Sequence, residues 1–132
     1  MNLLLDTHIW IWNHLAPEKI SSQVNGMLAA SENELWLSPV SIWELIVLVE
    51  KKRLELDKNL YDWVQQSKNE LALKEAPFSW AVADELRFTI LRQRDPADRF
   101  LVATARVYDL TLVTADEYLL NVPGLSVLQN RC

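Results

Sequence analysis

The sequence predicts an α/β fold, a parallel sheet covered by helices on both faces, and three observations carry that prediction. Short apolar runs at 3–5, 35–37, 112–113 and 127–128 have the length of strands. Longer stretches with helical apolar spacing, at 7–15, 18–30, 40–52, 60–71, 79–91 and 97–108, lie among them. Pro17, Pro39 and Pro96 stand where helices would begin, in the first turn, where a missing N–H costs little. Strands that alternate with helices need crossovers, and crossovers cover both faces of a parallel sheet.

Taken in order, Leu3, Leu4 and Leu5 form an unbroken apolar run, the pattern of a strand buried on both sides. Asp6 follows directly, and the first helical stretch begins at Thr7. The run Leu35-Trp36-Leu37 ends at Ser38-Pro39, a helix start, and Leu112-Val113 runs into Thr114-Ala115-Asp116. Folds of this class bind ligands beyond the carboxyl ends of their strands. Here those ends read LLLD, LWLS and LVTAD, so polar and acidic side chains gather at one rim. There is no repeat, no low-complexity segment and no Gly/Ser linker, with Gly26 and Gly124 the only glycines.

A length of 132 residues fits one domain, 1–132. A domain of that size buries roughly two thirds of its unfolded surface and needs no staples. Cys132 is the only cysteine, so no disulfide framework forms within the chain, which fits a reducing cytoplasm. The opening apolar run lacks a basic lead and contains Asp6 and His8, which argues against a signal peptide. No apolar stretch reaches the roughly 20 residues that span a bilayer, and Glu44 interrupts the nearest one, 40–49. A net charge of −5, from 18 acidic and 13 basic side chains, argues against a broad basic surface for nucleic acid. It leaves open an enzyme that reaches phosphates through a cation.

Four carboxylates stand at or near the rim, and each admits a structural reading beside a chemical one. Asp6 either caps the helix beginning at Thr7, attacks a phosphate as a nucleophile, or holds a metal ion. Asp98 falls at the third helical position if Asp95 is the cap and Pro96 comes first, where a carboxylate suits the helix dipole. Asp95 itself reads as that cap. With Thr114 as cap and Glu117 closing a capping box, Asp116 is a spare acid at a strand's end. Glu44 lies on an apolar stripe with Val40, Val47 and Leu48, an expensive place for an ionised group without a partner. Ser41 as cap would make Glu44 part of a capping box, whereas Ser38 before Pro39 puts it well inside the helix.

Together the four acids imply more than each does alone. Two like charges about 4 Å apart repel by roughly 4 kcal/mol at an effective dielectric near 20. Several carboxylates therefore share a pocket at neutral pH only if some are protonated or a cation intervenes. Oxygen donors without a cysteine or histidine constellation favour Mg2+ or Mn2+ over zinc. A hard divalent cation among acids, on an acidic protein, points to phosphate chemistry.

The segments LLLDTHIWIW, SIWEL, DPADRFLVATA and LVTADEYL, in this order, resemble the PIN-domain ribonucleases. More narrowly they resemble the VapC group, the toxins of prokaryotic toxin–antitoxin pairs. The resemblance runs from about residue 2 to 128. It implies a three-layer α/β/α sandwich with a central parallel sheet of four to five strands, and an acidic pocket that binds Mg2+ or Mn2+ and cleaves RNA. It implies that Asp6 and Asp98 are the principal metal ligands, with Glu44 and Asp116 completing the pocket directly or through water. Thr7 and Thr114 would orient these acids, or cap. A homodimer neutralised by a cognate antitoxin is the implied assembly.

The sequence departs from the pattern in one segment. Related toxins often carry a histidine before the DPxDR segment and a bulky aromatic within it, where this chain has Arg92-Gln93-Arg94 and Ala97. Arg92, Arg94 and Arg99 are either RNA-phosphate contacts or solvated surface groups. His8 and His14 read as packing or rim residues. Trp10, Trp12, Trp36, Trp43, Trp63 and Trp80 read as core by default, with two or three available for an apolar association surface. Two rival functions remain. Aspartyl-phosphate transfer would want a second aspartate where His8 stands, and a catalytically inactive interaction module would bind no metal.

Overall fold

The structure, a computed structural model, describes residues 1–91 and 95–131. Arg92, Gln93, Arg94 and Cys132 thus lie outside the described residues. Five strands, β1 (Asn2–Leu5), β2 (Glu34–Leu37), β3 (Lys74–Glu75), β4 (Thr111–Thr114) and β5 (Val127–Gln129), form one sheet in the order β3-β2-β1-β4-β5. Every pairing is parallel. Among the described residues six helices connect them: α1 (Thr7–Leu15), α2 (Ser22–Ala29), α3 (Pro39–Glu50), α4 (Leu60–Glu70), α5 (Trp80–Glu85) and α6 (Pro96–Tyr108).

The alternation along β1 divides the core. Leu3 and Leu5, with Leu35, Leu37 and Val113, pack against Ile9, Trp10, Val24, Leu28, Leu45, Trp63 and Val64 from α1 to α4. Leu4 and Leu112 point the other way and pack against Leu101, Val102 and Ala105 of α6, with Ala76 and Leu119. A strand with an unbroken apolar run, Leu3–Leu5 in β1, serves both cores at once. Each fully buried leucine contributes about 1.5–3 kcal/mol. Three layers follow from this division: four helices, the sheet, then α6 with α5 packed on it.

Three segments differ from the sequence reading, each for a local reason. The expected helix at 18–30 is two pieces. Pro17–Lys19 form a single tight turn, and Ser21 then starts α2 by accepting the Val24 N–H at 3.2 Å. The expected helix at 79–91 stops at Glu85 and passes into a tight turn at Leu86–Phe88. There Arg99 donates to the carbonyls of Thr89 (2.7 Å) and Leu86 (2.6 Å), and Arg106 to that of Phe88, supplying partners the helix no longer provides. The two-residue strand β3 has no apolar run to announce it. It is a short, charged edge whose Lys74 pairs with Glu34 at 2.8 Å, which blunts an exposed sheet margin.

The topology also places the candidate residues. From β1 the chain proceeds outward to β2 and β3, then returns to the other side of β1 for β4 and β5. The order of strands reverses between β1 and β4, and the crevice beyond their carboxyl ends is where such sheets bind ligands.

Candidate active site

Asp6 leaves β1 at that crevice. Its N–H donates to the Val113 carbonyl at 3.0 Å, extending the ladder one step, and its carbonyl accepts from Trp10 to open α1. It occupies the cap position of α1, yet its side chain makes no capping hydrogen bond. Its Oδ2 instead accepts from Thr114 Oγ1 at 2.6 Å, across to the end of β4. Only 8% of the residue is exposed. Burial raises its pKa above the ordinary carboxylate value, and the Asp116 charge adds to that, against the Thr114 hydrogen bond, the His8 charge and the Thr7 amide.

Glu44 projects from α3, whose start resolves the two readings of its sequence. Ser38 is the cap, accepting the Val40 N–H at 3.1 Å, and Pro39 is the first helical residue. Glu44 therefore lies inside the helix, outside any capping box. Its Oε1 accepts from Thr7 Oγ1, and Thr7 Oγ1 in turn lies 2.8 Å from Ser41 Oγ. Burial raises its pKa, the Thr7 hydrogen bond opposes this, and the charges of Asp95 and Asp6 raise it further.

Asp98 occupies the third position of α6, as the sequence predicts, and Asp95 is the cap, its Oδ1 accepting from Ala97 N at 3.0 Å. Burial pushes the Asp98 carboxyl up to about 7, and the charges of Asp6, Asp95, Asp116 and Glu44 all push the same way. Asp116 is not the spare acid of a capping box begun by Thr114. It caps the tight turn Glu117–Leu119 itself, with Oδ1 accepting from Tyr118 N at 3.0 Å. Its own N–H donates to Thr114 Oγ1 at 3.0 Å.

The structure thus brings Asp6, Glu44, Asp98 and Asp116 into one electrostatic neighbourhood from four separate elements, and adds Asp95 as a fifth negative charge. Sequence reasoning gave Asp95 only its capping role. A carboxylate that caps the helix carrying Asp98 necessarily stands beside the pocket, and that was the available signal. His8 is exposed at the rim, and its charge opposes those of Asp6 and Glu44. His14 packs partly buried against α4 instead, with Nε2 2.6 Å from Ser67 Oγ. Arg99 is occupied by two backbone carbonyls, while Arg92 and Arg94 are outside the described residues. Of the tryptophans, Trp10 and Trp63 are buried, Trp12 and Trp36 partly so, and Trp43 and Trp80 are exposed.

Among the described residues, no three histidine, cysteine, aspartate or glutamate side chains stand close enough together to hold a metal ion as they are. The donor chemistry nevertheless fits a hard divalent cation. Every acid offers oxygen, their charges are mutually unfavourable, and burial has already removed much of their hydration. Glu44 is tied by one oxygen to Thr7, and Asp6 by one oxygen to Thr114, which leaves the second oxygen of each for a ligand.

The chain is similar to known proteins in sequence and in fold. The family model of the PIN domain matches residues 3–125. Ribonuclease VapC22 of Mycobacterium tuberculosis is 30% identical over 120 residues, covering 89% of this chain and 88% of that protein. The crystal structure of VapBC2 from Rickettsia felis bound to a promoter DNA fragment contains a chain that superposes with a TM-score of 0.69 at 20% identity, over 99% of this chain and 100% of that one. DNA-bound VapBC from Salmonella typhimurium gives 0.67 at 20% identity, with 98% of each chain covered. At such identities the structural likeness speaks for the fold, and the matched family and the mycobacterial relative speak for descent.

Proposed function

This chain belongs to the PIN-domain family, and from that premise we infer that it is a metal-dependent ribonuclease, the toxin of a toxin–antitoxin pair. One observation carries the inference to these residues. Asp6, Glu44, Asp98 and Asp116 come from the end of β1, from α3, from α6 and from the segment after β4, and the charges of the other three each raise the Asp98 pKa. A divalent cation, Mg2+ or Mn2+, would supply Lewis-acid polarisation of the phosphodiester and an activated water at neutral pH.

The chain's own residues do the rest. Asp6 and Asp98 would hold the cation as principal ligands, and Glu44 and Asp116 would complete its shell directly or through water. Thr114 and Thr7 fix one oxygen each of Asp6 and Glu44, so those carboxylates are oriented before the substrate arrives. The acid excess makes the free crevice repel a phosphodiester, and neutralising that excess is the condition for an acidic protein to accept RNA. His8 stands exposed at the rim.

The same premise supplies partners and place. A cognate antitoxin neutralises the toxin, two copies of the chain associate, and the protein acts in the cytoplasm. Exposed Trp43, Trp80, Phe88 and Ile90 are large apolar side chains that suit such contacts. No helix among the described residues is long and apolar enough to cross a membrane.

The reading is tested by incubating the purified, antitoxin-free chain with structured and unstructured RNAs in Mg2+, in EDTA and as Asp6→Asn. Cleavage is expected in Mg2+ alone. Cleavage that survives EDTA, or survives the substitution, eliminates the metal-nuclease mechanism. An inert protein that also fails to bind Mn2+ would be the interaction module instead.

A further inference from the structure

We propose that Ser41 is a positioning residue of the acid crevice, holding Glu44 through the hydroxyl of Thr7. The proposal rests on the ribonuclease reading and adds to it a residue that never touches substrate. Thr7 Oγ1 donates to Glu44 Oε1 and lies 2.8 Å from Ser41 Oγ. A threonine hydroxyl has a single proton. That proton goes to Glu44, so Ser41 must supply the proton of the second bond. The chain therefore has one direction, from Ser41 to Thr7 to Glu44.

Burial enforces that direction. Ser41 is 0% exposed and Thr7 1%, so water offers neither hydroxyl an alternative. Nor is Ser41 needed to start its helix, since Ser38 is the cap and the Ser41 N–H is bonded to the Ser38 carbonyl. On the far side of the crevice the same device recurs. The Asp116 N–H donates to Thr114 Oγ1 at 3.0 Å, and Thr114 Oγ1 donates to Asp6 Oδ2 at 2.6 Å. Each of the two acids is gripped at one oxygen by a threonine that also accepts from a second donor. A donor to the hydroxyl oxygen strengthens the bond that its proton makes to the carboxylate, because successive bonds polarise one another. On the Asp6 side the first donor is backbone. On the Glu44 side it is the Ser41 side chain, which substitution can remove.

The test measures Mn2+ binding by calorimetry, starting from metal-free protein, beside cleavage kinetics and Tm in EDTA. Ser41→Ala is expected to weaken Mn2+ binding by about tenfold, in the range typical of partners that orient metal ligands. The kcat should fall by a similar factor, with KM for RNA unchanged, and Ser41→Thr, which keeps the hydroxyl, should recover part of the loss. In a Glu44→Gln background, Ser41→Ala should leave Mn2+ affinity where Glu44→Gln alone puts it, because the serine acts only through that carboxylate. Should the alanine variant fail to fold, Ser41→Cys keeps the volume while donating weakly and is expected to show the same loss. A wild-type protein that binds Mn2+ and cleaves RNA while the position-41 variant does both equally well overturns this proposal alone. So does an equal loss in both backgrounds. A wild type that neither binds Mn2+ nor cleaves overturns the ribonuclease reading, and this proposal with it.

Discussion

The crevice between β1 and β4 and the junction of α1 with α4 both bury polar side chains, and they balance them in opposite ways. At the helix junction Trp10 Nε1 donates to Ser67 Oγ at 2.7 Å, and Ser67 Oγ lies 2.6 Å from His14 Nε2. An indole N–H only donates, so Ser67 Oγ accepts from Trp10, and the His14 tautomer sets whether the serine or the ring donates in the second bond, with Nδ1 3.9 Å from Glu70. The Trp63 ring meets both Trp10 and His14 edge-on. Donors and acceptors there match one to one. In the crevice, acids crowd acids, and the hydroxyls of Thr7 and Thr114 satisfy one oxygen each without cancelling any charge. Serine, histidine and glutamate in sequence at the junction superficially suggest a hydrolytic triad. Ser67 is only 2% exposed, which keeps it from a substrate. Residue types alone therefore mislead, and an uncompensated charge at a strand end is the better sign of function.

The largest effect that separates the two regions should come from Asp98→Asn. It removes a proposed ligand, so cleavage should fall by at least about 100-fold. The metal-free fold should nevertheless become more stable at pH 8. The folded-state pKa, about 7, lies above the ordinary 3.8, so this group favours folding below 3.8 and that contribution is lost as the pH rises through 7. Asparagine does not ionise and avoids the loss. Because the side chain is partly solvated, the gain after screening is on the order of 1 kcal/mol, a rise of a few degrees in Tm. Differential scanning calorimetry in EDTA checks this. A lower Tm for the variant would mean that the crevice is as well balanced as the helix junction.

Ser67→Ala should do the reverse. It strands the Trp10 N–H in the core and takes the partner from His14, at a cost of about 1–3 kcal/mol. The Tm should drop by several degrees while Mn2+ affinity and the kcat of the folded protein stay unchanged. A loss of Mn2+ affinity equal to that of Asp98→Asn would join the two regions into one functional unit and erase the contrast.

How much of this contrast the sequence shows depends on where the information resides. The strand-end acids are legible because an apolar run fixes β1, and Asp6 can then stand only at its carboxyl end. Pro96 fixes the start of α6 in the same way, and with it the place of Asp98. Glu44 is legible through its conflict with an apolar stripe. Partnerships across the fold are not. Nothing local ties Thr7 to Ser41, 34 positions away, or Thr114 to Asp6, 108 positions away, because both depend on which strands become neighbours. Asp116 was misread for a related reason. Thr114 and Glu117 have the spacing of a capping box, but the Thr114 hydroxyl accepts the Asp116 N–H while giving its proton to Asp6, and the Asp116 side chain caps the turn Glu117–Leu119. The strand β3 escaped notice because Lys74 and Glu75 are held by their neighbour Trp36-Leu37 and by the Lys74–Glu34 pair, with no apolar pattern of their own.

The smallest effect, and the finest probe of the junction, is its response to acid. Burial lowers the His14 pKa below its ordinary 6.5, and the Glu70 charge opposes that shift. A base with a depressed folded-state pKa is protonated more readily in the unfolded chain, so stability rises with pH wherever the unfolded state binds the extra proton. This contribution is complete above about 6.5 and fades as the pH falls toward the folded-state value. Asp98 works against it over the same range, because its raised pKa makes the fold gain stability as the pH falls. The difference between wild type and His14→Gln separates them, since Asp98 is common to both proteins. The wild-type Tm in EDTA should lose on the order of a degree or two relative to His14→Gln between pH 7 and pH 5.5. If the two profiles run parallel, His14 is protonated equally in both states, and the junction does not require the neutral imidazole on which the one-to-one match of donors and acceptors depends.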